Sequence, residues 1–299
     1  MPVISYRLSN FAQNTVQMTR TISFLSAAAG VAMLASCGNG TGEKANTDTV
    51  AVQAAVPARP APALAAVSAS PEYAGATLKI SSVKAVAVGK DSAKVSFAFD
   101  VKNYDLKAQT ADTATKMCNN SAQGQHIHFI MDNKPYKALY EPKNEITLAN
   151  GTEHYLMVFL SRSYHESIKS PGAAVVYHFK IDEKGKLVKM DEPKEPMIFY
   201  SRPKGDYIGK DVENVLLDFY VWNGTLAADG YKVNATLTPA EGEAVTFTFD
   251  KWEPKFITGM PMGKNKLTLS LTDKDGKQVT GVSTNVEREF NLAASEPMK

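Results

Sequence analysis

The segment VSFAFDVKNYDL (residues 95–106) aligns without a gap with VLLDFYVWNGTL (residues 215–226). Both segments have an apolar residue at every second position (Val95, Phe97, Phe99 and Val101; Val215, Leu217, Phe219 and Val221), which is the pattern of a strand with a buried face. They also share the spacing of Val, aromatic residue, Val, Asn and Leu. Such a match between two distant parts of one chain indicates that a β-structural unit occurs twice.

A second pair of segments supports the duplication. YEPKNEITLANGTEHYLMVFL (residues 140–160) aligns with WEPKFITGMPMGKNKLTLSL (residues 252–271) after a shift of one residue, with Gly151 on Gly263. Turn sequences such as VGKD, DEKGK and AADG separate the apolar runs, and the sequence has no convincing amphipathic helix pattern. We therefore predict an all-β protein with two tandem immunoglobulin-like β-sandwiches, at residues 73–190 and 195–293.

The first residues have the pattern of an export signal. Arg7 and Arg20 precede the apolar run ISFLSAAAGVAML (residues 22–34), which is too short to span a bilayer comfortably. The run leads into LASC, which ends at Cys37 and resembles the lipobox of bacterial lipoproteins. The resemblance implies that residues 1–36 are a lipoprotein signal peptide and that Cys37 carries the lipid. We expect the protein to be anchored to a membrane of the cell envelope, facing the periplasm.

The segment after the lipobox is rich in Ala, Pro, Gly, Ser and Thr, so residues 37–72 are predicted to be a flexible linker. Without residues 1–36 the chain has 31 basic and 31 acidic residues. This balance argues against nucleic acid as a partner, because binding phosphates needs a basic face. With Cys37 acylated, Cys118 has no cysteine to pair with, which excludes a disulfide framework.

All five histidines lie in the first repeat: His126, His128, His154, His165 and His178. Placing Gly124 on Gly230 sets them opposite Lys232, Asn234, Lys266, the neighbourhood of Lys277, and Glu289. None of the five is a histidine in the second copy. The fold itself therefore does not require histidine at these positions.

The strand period of two predicts where the neighbouring side chains point. Six residues of two strands are expected to face the first core: Ile127, Phe129, Met131, Tyr155, Met157 and Phe159. His126, His128 and His154 then share the outer face. His178 is expected to be a packed or hydrogen-bonded residue instead of a ligand.

Convergent imidazoles on one face are a ligand set for Zn or Cu. The predicted metal ligands are His126, His128, His154 and His165, with Cys118 and Met117 as further candidates because copper accepts soft ligands. Since a protonated imidazole cannot bind a metal, binding should fade as the pH falls through about 6.5.

The outer face of the first copy has a second unusual feature. Leu156 and Val158 align with Thr268 and Ser270 of the second copy, so the strand that holds them is predicted to be apolar on both sides. Such a surface should be covered. The extra segment of the first copy, residues 107–123, is the expected cover.

The motifs HIHF, NGTEHYLMVFL and SYHES resemble a family of bacterial periplasmic domains of unknown function. That family has a His-x-His strand, then a Gly-x-His strand and a further His, and the matching residues are His126, His128, His154 and His165. The spacing from the glycine to His154 is one residue longer than in the family. The whole chain also resembles lipoproteins of the Bacteroidota, which implies an envelope protein.

No Ser-centred elbow, Gly-rich phosphate loop or helical His-Glu-x-x-His motif is present, so we do not expect an enzyme. Two hypotheses remain. One is a lipid-anchored envelope protein that binds Cu or Zn through the first sandwich. The other is a non-catalytic interaction or adhesion module that binds protein, peptide or glycan through the apolar outer face of that sandwich.

Overall fold

The computed structural model describes residues 61–295, and all of these residues belong to one compact unit. The predicted signal peptide, Cys37 and the linker up to residue 60 lie outside the described residues. No helix in the described part is long and apolar enough to cross a membrane.

Strands and turns make up nearly all of the described residues. The elements of the first half are β1 (Ala63–Ala66), β2 (Thr77–Val88), β3 (Ser92–Lys102), α1 (Thr113–Lys116), β4 (His126–Met131), β5 (Lys137–Leu139), β6 (Lys143–Ala149), β7 (Thr152–Ser161), β8 (Ala174–Ile181) and β9 (Leu187–Lys189). Those of the second half are β10 (Met197–Arg202), β11 (Gly205–Ile208), a 3-10 helix (Gly209–Val212), β12 (Val215–Trp222), β13 (Lys232–Thr238), β14 (Val245–Phe249), β15 (Lys255–Thr258), β16 (Gly263–Thr272) and β17 (Asn285–Ala293).

The strands form two sandwiches in tandem. In the first, a sheet with the order β2-β3-β6 packs on a sheet with the order β5-β4-β7-β8-β9. In the second, a sheet β1-β15-β12-β10 packs on a sheet β11-β17-β16-β13-β14. The prediction of an all-β chain with two tandem sandwiches is thereby confirmed.

Alternating apolar residues build a separate core in each sandwich. Val95, Phe97 and Phe99 of β3 are buried against Ile127 and Phe129 of β4. In the second sandwich, alternate residues of three strands have the same role, namely Leu217, Phe219, Val221, Val233, Ala235, Leu237, Leu267, Leu269 and Leu271. Burying these side chains supplies most of the free energy of folding in each half.

Strand β1 comes from the predicted linker. Residues Ala63–Ala66 pair antiparallel with β15, and Leu64 packs against the second core. Farther along, the buried Lys116 donates hydrogen bonds to the carbonyl of Ser68 (2.6 Å) and to the hydroxyl of Ser70 (2.7 Å). The prediction of a flexible linker through residue 72 is therefore wrong for this stretch.

The register of the sheets corrects the sequence alignment. Ile127 pairs with Leu160 in the first sandwich, and the corresponding Val233 pairs with Leu271 in the second. Leu160 is therefore the counterpart of Leu271, one residue away from the match that the sequence suggested. A slip of one residue exchanges the two faces of a strand.

The exchange of faces changes the assignment of β7. Leu156, Val158 and Leu160 point into the first core, whereas Met157 and Phe159 point away from it. The prediction that Tyr155, Met157 and Phe159 face the core is wrong. The strand is nevertheless apolar on both sides, as expected, because the residues of both sets are large and apolar.

The second sandwich covers the outer face of β4 and β7. Ile130, Met157 and Phe159 are buried there with Met197, Phe199 and Tyr220 of β10 and β12. The Phe159 and Tyr220 rings stack with their centroids 5.1 Å apart. The expected cover, residues 107–123, does not lie on this face: its helix residue Thr113 contacts Ser163, and Asn119 contacts Asp211.

A polar contact fixes the docking. The Asn133 side chain follows β4, donates a hydrogen bond to the Ile198 carbonyl (2.7 Å) and accepts one from the Tyr200 amide (2.9 Å). Both partners belong to β10. The first sandwich thus holds β10, the strand that also carries Ser201 and Arg202.

Removing one of the docking side chains should lower the stability of the whole chain. Phe199 is fully buried in the face between the sandwiches, so we expect Phe199→Ala to lower the free energy of unfolding by about 3–5 kcal/mol. Urea denaturation measures the change. Val282→Ala is the control, because Val282 is 51% exposed. An equally small effect of both substitutions would contradict the docked arrangement.

Candidate metal centre

Three buried histidines bring their ring nitrogens together beside the face between the sandwiches. His126 Nε2 is 3.0 Å from His128 Nε2 and 3.2 Å from His165 Nδ1. The three ligand atoms all lie within 4.8 Å of one another. His126 and His128 are completely buried and His165 is 7% exposed. This group can hold a metal ion.

Strand β4 aims the first two histidines at the same point. His126 and His128 are two residues apart, so both leave the strand on the face opposite Ile127 and Phe129. Their rings lie 4.9 Å apart and almost parallel. The predicted outward direction is correct, but the side chains are buried and not exposed because the second sandwich lies over them.

His165 reaches the same point from a tight turn after β7. The turn begins at Ser161 and closes with a β-bridge between Ser161 and Ser167. The equivalent bridge in the second sandwich joins Thr272 to Gln278, which makes Gly276 the counterpart of His165. The predicted match near Lys277 is therefore one residue off.

The backbone at this turn position is left-handed in both copies. The φ angle is +69° at His165 and +78° at Gly276. Glycine adopts this conformation freely, whereas for other residues it costs on the order of 1 kcal/mol. The first sandwich therefore carries a histidine where the conformation of the turn favours glycine. The imidazole, which glycine lacks, is the part of this residue that reaches the other two histidines.

Ionic and backbone contacts hold the turn. The Arg162 guanidinium binds the Glu166 carboxylate (3.0 Å) across the turn, and both side chains are buried. The Arg162 amide donates to the Glu166 carbonyl (2.9 Å), and the His165 amide donates to the Arg162 carbonyl (2.9 Å). The backbone that carries His165 is thus held by contacts on both sides of it.

Gly124 fixes the start of β4. Its φ angle is +83°, and a Cβ atom there would overlap the carbonyl oxygens of Lys107 and Ala108. The Gly124 carbonyl lies 2.8 Å from His126 Nδ1 and accepts a hydrogen bond from its N–H. When the His126 ring is neutral, this bond leaves a lone pair on Nε2, the atom that faces the other two histidines.

The outer nitrogen of His128 has an adaptable partner. His128 Nδ1 lies 3.1 Å from the hydroxyl oxygen of Ser201, on β10 of the second sandwich. A serine hydroxyl can either donate or accept a hydrogen bond. It can therefore stabilise either neutral form of the His128 ring, including the form in which Nε2 is free to bind a metal.

Burial keeps the three imidazoles neutral. Desolvation is the main cause that lowers the pKa of His126 to about 4, with smaller contributions from the charges of Arg202 and Lys204. The pKa values of His128 and His165 lie well below the ordinary value for the same main reason. Protons therefore compete weakly for these rings. The pH at which metal binding is lost is expected to lie below the value of about 6.5 that the sequence suggested.

Aromatic rings and two cations surround the three histidines. The Tyr136 ring stacks on His128 with the centroids 3.6 Å apart, and its hydroxyl is 3.1 Å from His165 Nδ1. The Lys204 Nζ atom is 4.1 Å from the centre of the Tyr136 ring, and the Arg202 guanidinium is 5.4 Å from it. Fixed positive charge thus lies close to the three neutral rings.

His154 does not join the other three, which corrects its predicted role. Its Nδ1 atom lies 2.8 Å from the Asp132 carboxylate and its Nε2 atom 2.7 Å from the Thr152 hydroxyl. The ring contacts Phe179 of the first core. The slip of one residue explains the error, because it moved His154 to the wrong face of β7. Its counterpart is Asn265, which is also buried and hydrogen-bonded.

The two sulfur candidates do not belong to the group of three either. Met117 is 66% exposed. Cys118 is partly buried, and burial is the main cause that raises its pKa to about 12, so its thiol stays protonated at neutral pH. Neither sulfur is thus a ligand in this arrangement.

His178 pairs with Glu153 (2.7 Å) and stacks on Tyr155, as expected for a packed residue.

Sequence reasoning missed Ser201, Arg202 and Lys204, and it did not connect Tyr136 with the histidines. Three of the four belong to the second sandwich, whose docking no local pattern reveals. One signal was available: a strand that is apolar on both faces needs a large partner, and the second repeat is the largest segment of the chain outside the first repeat.

The comparisons with known proteins concern the fold. No protein-family model matches this chain, and no curated protein matches it. Among solved structures, it is similar to the fibronectin(III)-like modules of Clostridium thermocellum CbhA, with 14% identity, 73% of this chain and 95% of that chain covered, and a TM-score of 0.25. It is also similar to the FN1-FN3 domains of chicken CNTN1, with 8% identity, 75% of this chain and 67% of that chain covered, and a TM-score of 0.25.

The buried imidazoles predict a sensitivity to acid in the metal-free protein. Their pKa values are lower in the folded state than in the unfolded state, so the unfolded state binds more protons below pH 6.5. Stability should fall as the pH drops from about 6.5 towards 4, and each such histidine contributes about 1.4 kcal/mol per pH unit to the slope.

We expect His165→Gly to remove one of these contributions, which urea denaturation between pH 4.5 and 6.5 with a chelator present will measure. Glycine suits the left-handed turn, so the fold should tolerate this change. Val282→Ala, which removes no titratable group from an exposed position, is the control and should leave the slope as it is. A slope that is the same in His165→Gly and in the unchanged protein would contradict a buried neutral His165.

Proposed function

We propose that this protein binds one Cu or Zn ion through His126, His128 and His165, as a lipid-anchored protein of the bacterial cell envelope. The observation that carries the proposal is the convergence of three buried ring nitrogens: His126 Nε2 lies 3.0 Å and 3.2 Å from the other two, and all three lie within 4.8 Å of one another. Three nitrogens that each lie 2.0–2.1 Å from one metal ion are roughly 3.3 Å apart in tetrahedral directions. The two short separations therefore have to lengthen only slightly for an ion to enter.

The hydrogen bonds around the group support metal binding. In the metal-free state, His126 Nε2 and His128 Nε2 lie at hydrogen-bond distance, so one of them must carry the shared proton. The Gly124 carbonyl keeps the His126 proton on Nδ1, which leaves His128 Nε2 as the donor. With a metal at Nε2, His128 would carry its proton on Nδ1, where the Ser201 hydroxyl would accept the hydrogen bond.

A binding role fits the group better than catalysis. A catalytic metal needs an open position for water or substrate. Here all three histidines are buried, and the rings of Tyr136, Tyr140 and Phe159 pack around them. The interaction-module hypothesis loses the surface on which it depended, because the second sandwich covers the apolar face of β4 and β7.

The metal titration of the purified full-length protein is the direct test. We use an untagged Cys118→Ser background, which removes thiol binding by this cysteine. One equivalent of Zn(II) or copper should bind and raise the melting temperature, since the ion binds the folded state preferentially. Binding should persist at pH 5.5, because the pKa of His126 is about 4 and those of His128 and His165 are also low.

Three variants separate the ligands from other histidines. His165→Gly should abolish most of the affinity without unfolding the turn, because the second copy has Gly276 at this place. Ser201→Ala should weaken binding by about 10–100-fold, the usual cost of losing the partner of a ligating histidine. His154→Gln should leave the titration unchanged. Equal binding by His165→Gly and the unchanged protein would refute the proposed ligand set.

The envelope location is supported by the lipobox-like sequence LASC, which ends at Cys37. Cys37→Ser should therefore move the protein from the membrane fraction to the soluble fraction, because a serine cannot accept the thioether-linked lipid. Cell fractionation and immunoblotting measure the distribution, and Cys118→Ser is the matched cysteine control. A Cys37→Ser protein that stays in the membrane fraction would exclude anchoring through this residue.

A further inference from the structure

The charges around the three histidines are unusual for a site that takes a divalent ion. The ligand group contains three neutral imidazoles and no carboxylate or thiolate. The nearest fixed charges on the β10 side are the cations Arg202 and Lys204, and both lower the pKa values of all three histidines. An ion that enters this group therefore meets repulsion without an anionic ligand to offset it.

Neither cation is neutralised by an ion pair among the described residues. Arg202 is buried and donates a hydrogen bond to the Tyr207 hydroxyl (3.1 Å), and Lys204 donates to the Tyr136 carbonyl (2.8 Å). Burial is the main cause that lowers the pKa of Lys204 to about 8, so this amine is still mostly protonated at pH 7.

The carboxylates on the neighbouring elements are already paired. Glu166, next to His165 in the turn, binds Arg162 (3.0 Å). Asp218, on β12, binds Lys169 (2.8 Å) and the Ser167 hydroxyl (2.9 Å). These pairs cancel most of the negative charge that would otherwise attract a divalent ion to the site.

The number of ligands points the same way. Zn(II) in proteins is almost always bound by four ligands, whereas this group offers three nitrogens. The Tyr136 hydroxyl lies 3.1 Å from the ligand atom His165 Nδ1, but burial raises the pKa of this phenol, which keeps it neutral and a weak ligand. Cu(I) has a filled d shell, carries a single charge and is stable with three neutral nitrogen ligands.

We propose that the site is selective for monovalent copper, Cu(I), over divalent ions such as Zn(II). The proposal rests on the metal-binding function proposed above and specifies its ion. The selectivity comes from the absence of a fourth ligand in the group and from the uncompensated positive charge of Arg202 and Lys204.

The contribution of the positive charges to the selectivity can be tested quantitatively. A Coulomb energy is proportional to the charge of the ion, so a nearby cation opposes a divalent ion twice as strongly as a monovalent one. Removing this cation must therefore increase the Zn(II) affinity by the square of the factor that applies to Cu(I). For one partly screened charge, we expect about three-fold for Cu(I) and about ten-fold for Zn(II).

The experiment compares Cu(I) and Zn(II) affinities at pH 7 by competition with a chelator specific for each ion, with oxygen excluded for Cu(I). It uses the full-length protein with Cys118→Ser, and then adds Lys204→Gln. Lys204→Arg keeps the charge and should keep the original selectivity. Lys232→Gln, on β13 of the second sandwich, removes a distant charge and should change neither affinity.

The outcomes distinguish the two proposals. Tighter binding of Cu(I) than of Zn(II), with the larger gain for Zn(II) in Lys204→Gln, supports monovalent selectivity. If Zn(II) binds as tightly as Cu(I), or if Lys204→Gln increases both affinities by the same factor, the proposed selectivity is wrong. The proposed metal site is not contradicted by either result. If neither ion binds to the three histidines, the proposed function itself is wrong.

Discussion

The burial of one face of the β4–β7 sheet against the second sandwich is the constraint on which the rest of the structure depends. Phe159 and Met157 meet Phe199 and Tyr220 there, and His126 and His128 leave β4 on the same side. The contact removes water from the imidazoles and brings Ser201 to His128. Without it, the two histidines would be solvated residues on an exposed strand, with ordinary pKa values and no fixed geometry.

The duplication shows how such a site is built on a repeated fold. The two sandwiches share the bridge that closes the turn after β7 or β16, and the left-handed residue within it is His165 in one and Gly276 in the other. Replacing glycine by histidine strains the backbone, but it delivers an imidazole to a point that β4 already supplies with two more. The second sandwich has the unstrained turn with Gly276, and its strands β10 and β12 cover the face of β4 and β7 that carries His126 and His128.

The sequence predicted the parts that depend on local patterns. The alternation of apolar residues and the internal repeat gave the two sandwiches, and the His-x-His spacing gave the common direction of His126 and His128. His154 was assigned to the wrong face because a shift of one residue in a turn does not change the hydrophobic pattern of a strand that is apolar on both sides. Ser201 and Lys204 were missed because only the docking of the two halves brings them to the site.

The same docking accounts for the balance between stability and binding. In the metal-free fold the ligand nitrogens already have partners, because His128 Nε2 faces His126 Nε2 (3.0 Å) and the Tyr136 hydroxyl faces His165 Nδ1 (3.1 Å). Burial is the main cause that keeps these imidazoles neutral, and the charges of Arg202 and Lys204 add to its effect on their pKa values. An ion at this point would replace these contacts and would meet imidazoles that the Gly124 carbonyl and the Ser201 hydroxyl already orient. Little conformational entropy would then be lost on binding, and the preorganised geometry would limit which ion fits.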